Sequence, residues 1–463
     1  MSRIPVIAIF DFGKTNKKLF LFDEHYNIIY EESGQLKEIA DEDGFPCEDV
    51  SALTSWTNDL LDKVMALPGT ELKAVNFSTY GASFVHVDES LKPLTPLYNY
   101  LKPYPEKLRK QFYEKYGGEI TFSQITASPV LGSLNSGLQL YRLKKELPDV
   151  YDKIYYSLHL PQFISSLITG KAYSDITSIG CHTGLWNYPQ NTYHEWTYRE
   201  GIQDKLPKIF SSSDVLKSDH KGKSLLAGVG LHDSSAALIP YLASFIEPFL
   251  LISTGTWCIS LNPFNNSDLT ADELKNDCLC YTDYKGNSIK ASRLFAGYEH
   301  EQQIKRLAEH FHVDENHYKT IKFNAETILK LSSKKSRETN AVISSGIQQS
   351  GFAQKQLDRY PDYSTAYHDL MLDISVQQKF STSLILQNSG VKKIFVDGGF
   401  SKNQIYMSLL ALAFPGMEIY AATIAQASAI GAALAIHKHW NKNAIPNDMI
   451  ELKYYSVPLG IVL

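Results

Sequence analysis

The sequence predicts an α/β protein built as two similar domains in one chain. At 463 residues it exceeds what a single hydrophobic core can hold, since cores stop growing at about 250–300 residues. Two distant stretches repeat one device. Ile7-Ala8-Ile9-Phe10 turns through Asp11-Phe12-Gly13-Lys14-Thr15-Asn16-Lys17-Lys18 and resumes at Leu19-Phe20-Leu21-Phe22. Phe249-Leu250-Leu251-Ile252 turns through Ser253-Thr254-Gly255-Thr256 and resumes at Trp257-Cys258-Ile259-Ser260-Leu261. Each reads as a buried strand, a tight polar turn and a return strand, and each opens a half that goes on through strands and helices.

In the first half, strands are expected over residues 4–10 and 18–22 and an amphipathic helix over 52–67. Strands over 74–77 and 84–87 flank Ser78-Thr79-Tyr80-Gly81-Ala82-Ser83. Residues 106–116 and 137–147 are charged helical stretches, the second stopped by Pro148. The helix over 162–169 closes on Gly170, a residue suited to a left-handed C-cap. The Lys- and Ser-rich stretch 206–230 holds few large apolar residues and reads as surface and connector. In the second half, a mostly helical middle is expected from about 296 to 386, with 306–335 a polar, exposed excursion. A buried strand over 394–397 runs into Gly398-Gly399, then come a helix over 404–414, a strand over 418–421 and a small-residue helix over 425–436. The tail after Trp440 carries no signal, and the charge runs 144–146 and 334–338 read as solvated faces.

A net charge of −5 supplies no global basic field for nucleic acid or an anionic membrane, so the Lys14, Lys17 and Lys18 cluster stands out. Five cysteines (Cys47, Cys181, Cys258, Cys278, Cys280) form no CxxC pair and read as reduced thiols rather than zinc ligands. No basic-then-apolar leader precedes the first strand, and no apolar stretch approaches the roughly 20 residues of a membrane span, so a cytoplasmic protein is expected. No Ser/His/Asp or Cys/His constellation can be assembled, and the GxxxxGK[ST] phosphate loop is absent.

Backbone N–H groups in turns such as these form small anion-binding concavities, so two of them fit a polyphosphate gripped between two domains. Gly13 permits close backbone approach, a lysine such as Lys17 can neutralise phosphate, and Asp11 can hold Mg²⁺ through water. The same residues also fit a solvated hairpin turn, a reading that the echo at Ser253-Thr254-Gly255-Thr256 weakens. Gly228-Val229-Gly230-Leu231-His232-Asp233 delivers Asp233 to the start of a short helix limited by Pro240. There it is either an N-cap, contributing about 1 kcal/mol, or a general base toward a substrate hydroxyl. His232 beside it is a substrate contact or a structural histidine. Tyr80, Trp186 and Trp196 form a sugar-stacking wall or pack in the core. Gly398 and Gly399 admit a flat ligand or make a tight strand–helix turn.

In order and spacing, residues 11–18, 253–257, 396–399 and 426–433 resemble the FGGY carbohydrate kinases, as does Ile168-Thr169-Gly170 followed by Ser174-Asp175-Ile176-Thr177. The likeness covers residues 5–436. It implies an actin-like (ribonuclease H-like) duplicated fold, with domains 1–243 and 244–463 about a cleft for ATP, Mg²⁺ and a small-molecule sugar. It implies Asp233 as catalytic base, and Asp11 with Asp233 at the metal. Gly13, Thr15, Asn16 and Lys17 fall in the first phosphate turn, Gly255 and Thr256 in the second, and Gly398, Gly399 and Asn403 at the adenosine. Thr79, Tyr80, Gly81, His232 and Asp233 fall at the sugar. Residues 232–236 and 253–257 look like the rhamnulokinase and L-fuculokinase branch, which implies transfer from ATP to the O1 of a ketose. Ser83 and Tyr98-Asn99-Tyr100 depart from the family pattern near the sugar, leaving a xylulokinase-like pentulose kinase as an alternative and a non-kinase actin-like ATPase as a more distant one. A homodimer is the assembly entertained.

Overall fold

The computed structural model describes residues 3–335, 351–387 and 389–456. Strands β1 (Ile4–Phe12) and β2 (Lys17–Asp23) form the first expected hairpin, with Asp11 opposite Lys18. Both are near-continuous apolar runs buried on both faces, as strands covered by helices on each side must be. β3 (Ile28–Gly34) continues the sheet at its edge. Helix α1 (Val50–Met65) is capped by Asp49, whose carboxylate accepts from the Ser51 and Ala52 N–H groups at 2.8 and 3.1 Å. It buries Leu53, Leu60, Leu61 and Val64 along one face. β4 (Thr70–Thr79) then runs parallel to β1. Helix α2 (Leu160–Thr169) ends where Gly170 takes φ 65°.

Residues 206–230, expected as connector, contain a hairpin instead. β5 (Leu216–His220) and β6 (Lys223–Ala227) pair antiparallel, and β6 lies parallel on β4. Only alternate residues such as Leu216, Leu225 and Ala227 are buried in this edge hairpin, which is why the stretch lacks a continuous apolar run. β7 (Leu231–His232) adds a short parallel strand on β4, and α3 (Asp233–Ser244) follows. Pro240 does not limit α3, which runs on through it to Ser244.

The second sheet repeats the plan. β8 (Phe249–Thr254) and β9 (Cys258–Asn262) form its hairpin. β10 (Cys278–Thr282) and β11 (Ser288–Leu294) extend it on the β9 side. Helices α4 (Ala296–Phe311) and α5 (Tyr363–Leu386) cover a face, with a further helix over Ala325–Lys335 inside the excursion expected to be exposed, where Ile328 is buried. The 334–338 charge run extends outside the described residues. β12 (Lys393–Gly398) lies parallel to β8, α6 (Gln404–Ala413) follows, and β13 (Glu418–Thr423) is parallel to β12. After α7 (Ala427–Ala435), the tail supplies β14 (Glu451–Tyr455), antiparallel on β13, an element not expected. In each sheet a central strand has an antiparallel hairpin partner on one side and a parallel strand on the other.

Trp196 is fully buried with its indole N–H on the Gly184 carbonyl at 2.7 Å, and Trp186 packs on Tyr193, so both tryptophans belong to a core.

The two halves meet through α7. It leaves the second sheet and packs on α3, β1 and β4 of the first, burying Ala429, Ala432 and Ala433 against Ile7, Ile9 and Ile239. Asn76, in the middle of β4, donates to the Ala432 carbonyl at 2.8 Å and accepts from the Gly230 N–H at 3.2 Å. Pro240 removes the N–H that would take the Ala236 carbonyl in α3. That carbonyl lies against Gly431, where an added Cβ would sit 1.8 Å from its oxygen. Helix propensity alone favours Gly431→Ala by about 1 kcal/mol. The backbone clash outweighs it, at a cost of about 1–3 kcal/mol or more. Urea unfolding of Gly431→Ala is therefore expected to give a lower midpoint than the parent chain.

Candidate active site

Parallel strands in register end at the same level. Asp11 pairs with Ser78 and Phe12 with Thr79 across β1–β4, while Leu231 pairs with Ser78 and His232 with Thr79 across β4–β7. Asp11, the segment after Thr79 and the His232–Asp233 pair thus emerge together at the carboxyl ends of neighbouring strands, where open α/β sheets bind ligands.

Asp233 is the first residue of α3, with His232 in the cap position, so the N-cap reading of Asp233 does not hold. Its Oδ1 accepts from the Ser234 N–H at 2.6 Å and lies 3.2 Å from His232 Nε2. The side chain is 35% exposed, yet the surrounding protein desolvates the carboxyl and pushes its pKa up to about 6. His232 is locked from several sides. Its N–H donates to Thr177 Oγ1 at 2.9 Å, and that hydroxyl donates to the buried Asp175. Its ring stacks on Tyr281 (5.7 Å, 19°) and packs on Gly81, where a Cβ would come within 2.9 Å of the imidazole. Burial pushes the His232 pKa down to about 4, so the ring is neutral at physiological pH.

Asp11 accepts from Ser428 Oγ of α7 at 2.8 Å. Burial pushes its pKa up to about 6, and the Asp233 charge adds to the rise. Two carboxyls, each desolvated and near enough for the charge of Asp233 to raise the pKa of Asp11, form an anionic pair suited to a divalent cation. Among the described residues no cluster of three or more His, Cys, Asp or Glu side chains could hold a metal. That donor set fits Mg²⁺, which takes one or two carboxylates and keeps several waters.

In the first turn the Gly13 N–H bonds to the Asn16 carbonyl at 2.9 Å, and Thr15 and Asn16 are exposed. Asn16 Oδ1 accepts from Gln35 at 2.9 Å. In the second turn Gly255, Thr256 and Trp257 are exposed, with the Gly255 N–H on the Trp257 carbonyl at 2.9 Å. Gly398, at φ 77°, lies so close to this turn that a Cβ would meet the Thr254 carbonyl at 1.9 Å. The Gly399 N–H donates to that same carbonyl at 3.0 Å. A cavity of about 320 Å³ opens here, lined among others by Ser253, Asp397, Gly399, Lys402 and Thr423.

Several expected contacts are placed otherwise. Lys17 does not face the open side of its turn: it is 2% exposed, and its ammonium is held by Glu48 at 2.9 Å and by two turn carbonyls. Asn403 caps α6, accepting from the Ile405 and Tyr406 N–H groups, while its amide donates to Tyr367 at 2.7 Å. Both ends of that side chain are occupied. Thr79 is buried with its hydroxyl on the Tyr80 carbonyl, and the Tyr80 hydroxyl donates to Glu48 at 2.6 Å. In that segment Gly81 packs directly on the His232 ring. Ser428, Tyr281 and Thr177 were not singled out by sequence. Thr177 and Ser428 lie in stretches that sequence marks, but Tyr281 comes from the other half and no local pattern announces it.

Residues 6–238 match the N-terminal domain of the FGGY family of carbohydrate kinases, and residues 246–444 match the family described as carbohydrate kinase FGGY, C-terminal domain. The chain belongs to the FGGY carbohydrate kinases. A rhamnulokinase from Halalkalibacterium halodurans is 30% identical to this FGGY kinase over 261 residues, which is 53% of this chain and 52% of that protein. The match therefore spans about half the length of the curated relative. A carbohydrate kinase from Novosphingobium aromaticivorans shares the fold at TM-score 0.80 and 22% identity, covering 98% and 95% of the two chains. A ligand-bound xylulose kinase from Lactobacillus acidophilus does so at 0.74 and 16%, covering 98% and 94%. The expected actin-like architecture is thus the architecture found.

A carboxyl whose pKa is raised on folding stabilises the native state below its unfolded pKa, and that contribution disappears as pH rises through the folded value. For Asp11 and Asp233 the window lies between about 4 and 6. In the metal-free FGGY kinase at pH 8, Asp11→Asn and Asp233→Asn are each expected to melt above the parent, and the difference should close by pH 4. Thermal scans in EDTA at the two pH values check this.

Proposed function

We propose that this chain transfers the γ-phosphoryl group of ATP to a hydroxyl, O1 in our reading, of a ketose of the rhamnulose or fuculose kind. The observation that carries the reading is the pairing of Asp233 with Asp11 at strand ends beside the first of two exposed backbone turns. The rhamnulokinase match supports the sugar class, and the paired family domains support a division near residues 243 and 244. Five buried, unpaired cysteines are in keeping with a reducing, cytoplasmic setting.

The transition state of phosphoryl transfer is loose, so an aspartate is basic enough to receive the sugar proton. Asp233 Oδ1 takes the Ser234 N–H and lies 3.2 Å from Nε2 of neutral His232, which leaves the other carboxylate oxygen to take the proton from the attacking hydroxyl. The exposed Thr256 N–H would stabilise charge that develops on the phosphoryl oxygens. Mg²⁺, held through water by Asp11 and Asp233, would supply charge neutralisation between the phosphates. Hinging about α7 would exclude water from the cleft.

Asp233→Asn is expected to fold and keep ADP affinity while losing at least about 10²-fold in turnover, as typical for removal of a general base. Coupled ADP-release assays on the parent and the variant measure it, and near-normal turnover would remove Asp233 from this role. The same assay run on L-rhamnulose, L-fuculose, D-xylulose and glycerol should give the highest kcat/KM with one of the first two. A clear preference for D-xylulose or glycerol would replace the sugar assignment.

A further inference from the structure

The cation expected to neutralise phosphate in the first turn points the other way, and its partners tell what it does. The Lys17 ammonium contacts the Gly13 carbonyl at 2.9 Å, the Lys14 carbonyl at 3.0 Å and Glu48 Oε2 at 2.9 Å, and it lies 5.6 Å from the centre of the Tyr80 ring. Glu48, buried at the end of the short strand Pro46–Glu48, takes the Tyr80 hydroxyl on its other oxygen at 2.6 Å and the Lys14 ammonium at 3.3 Å. With two carbonyls and a carboxylate around it, the Lys17 ammonium has no direction left for a phosphate.

A trans peptide is planar and its C=O and N–H point in opposite directions. Drawing the Gly13 and Lys14 carbonyls inward therefore turns the N–H groups of Lys14 and Thr15 outward. Among the described residues neither N–H has a hydrogen-bond partner. We propose that Lys17 is a positioning residue: anchored by Glu48, it fixes two peptide planes so that the Lys14 and Thr15 N–H groups face the phosphates of the nucleotide. Tyr80 fastens Glu48 to the Thr79–Gly81 segment, so the turn is built onto the strand that also carries the sugar side of the cleft. The proposal rests on the nucleotide reading above.

Glu48→Gln gives a test in which charge and positioning predict opposite signs. Removing a negative charge near the turn should by Coulomb's law tighten binding of a polyanion. If Glu48 acts by anchoring Lys17, the variant instead loses the orientation of one or two N–H donors, and the ADP dissociation constant and KM for ATP rise about tenfold. The KM for the sugar should stay unchanged. Calorimetric titration of ADP into folded Glu48→Gln, with steady-state kinetics alongside, reads both. Equal or tighter ADP binding overturns the proposal. Should Glu48→Gln fail to fold, the pair Lys17→Met with Glu48→Gln leaves no unpaired buried charge. That double variant should show the same loss, and parental ADP affinity in it is equally fatal. A parent protein that binds no ADP removes the nucleotide reading itself, and the proposal with it.

Discussion

β4 accepts parallel partners on both sides, and it does so in one register. Ser78 lies opposite Asp11 on one flank and opposite Leu231 on the other. A slip of one residue in either ladder would turn Asp11 or the residue before His232 to the opposite face of the sheet. The register is held by burial on both faces of β1 and β4 and by Asn76, whose amide joins α7 to the Gly228–Gly230 approach. A Cβ on Gly228 would lie 2.2 Å from the Asn76 side-chain oxygen, so any larger residue there would push Asn76 off its two hydrogen bonds. The site inherits its geometry from this packing. Asp11 and Asp233 stand at the same end of the same three strands.

That packing also sustains an arrangement unfavourable in itself. Asp11 and Asp233 both sit where desolvation disfavours their charge, and each is near enough for Asp233 to raise the pKa of Asp11 further. Left to local energetics, two such side chains would rotate toward water. Asp11 cannot, because it closes a strand buried on both sides and is tied to Ser428. Asp233 cannot, because α3 begins at it and the residue before it is fixed by Thr177, Tyr281 and Gly81. Perturbed carboxyls of this kind cluster at functional sites. Ser428 belongs to α7, so the electrostatics of the first sheet are completed by a helix from the second half.

How much of this could be read in the sequence follows from how local each signal is. The hairpins at Asp11–Lys18 and Ser253–Trp257 were legible because a doubly buried strand is a continuous apolar run and its turn cannot be. Helix α2 was legible from Gly170, and α7 from its run of small residues. The β5–β6 hairpin was not, since an edge strand with alternate burial between lysines and serines has the composition of a loop. β14 was missed for the same reason, with four of its five residues exposed. At the site, Asp11 was legible as a carboxylate at a strand end and Asp233 as one at the start of a helix. The direction of Lys17 and the full occupation of Asn403 were not, because each depends on a partner (Glu48, Tyr367) far away in the chain. Residue type told which chemistry was present. Only the packing told which way each group faced.

The two turns solve one problem by different means. Each leaves backbone N–H groups, those of Lys14 and Thr15 in the first and of Thr256 in the second, without a partner among the described residues, although an unpaired donor is costly wherever water is excluded. In the first turn the opposing carbonyls are gathered by an ammonium on a carboxylate anchor. In the second they are gathered by backbone: Gly297 at the start of α4 lies so close that a Cβ would stand 1.8 Å from the Gly255 oxygen, and the Tyr298 N–H takes the Thr256 carbonyl at 3.0 Å. With the Gly255 carbonyl directed into α4, the Thr256 N–H of the same peptide faces the opposite side. The difference tracks the neighbours available. A helix N-terminus packs on the second turn and brings donors of its own, whereas on the first turn the Tyr80 N–H reaches only the Phe12 carbonyl, at 3.0 Å, and a lysine from within the hairpin takes the Gly13 and Lys14 carbonyls. The duplicated hairpins therefore share a form without sharing the residues that enforce it, and residue type alone, which points Lys17 to the open side of its turn, misses the carboxylate that holds it.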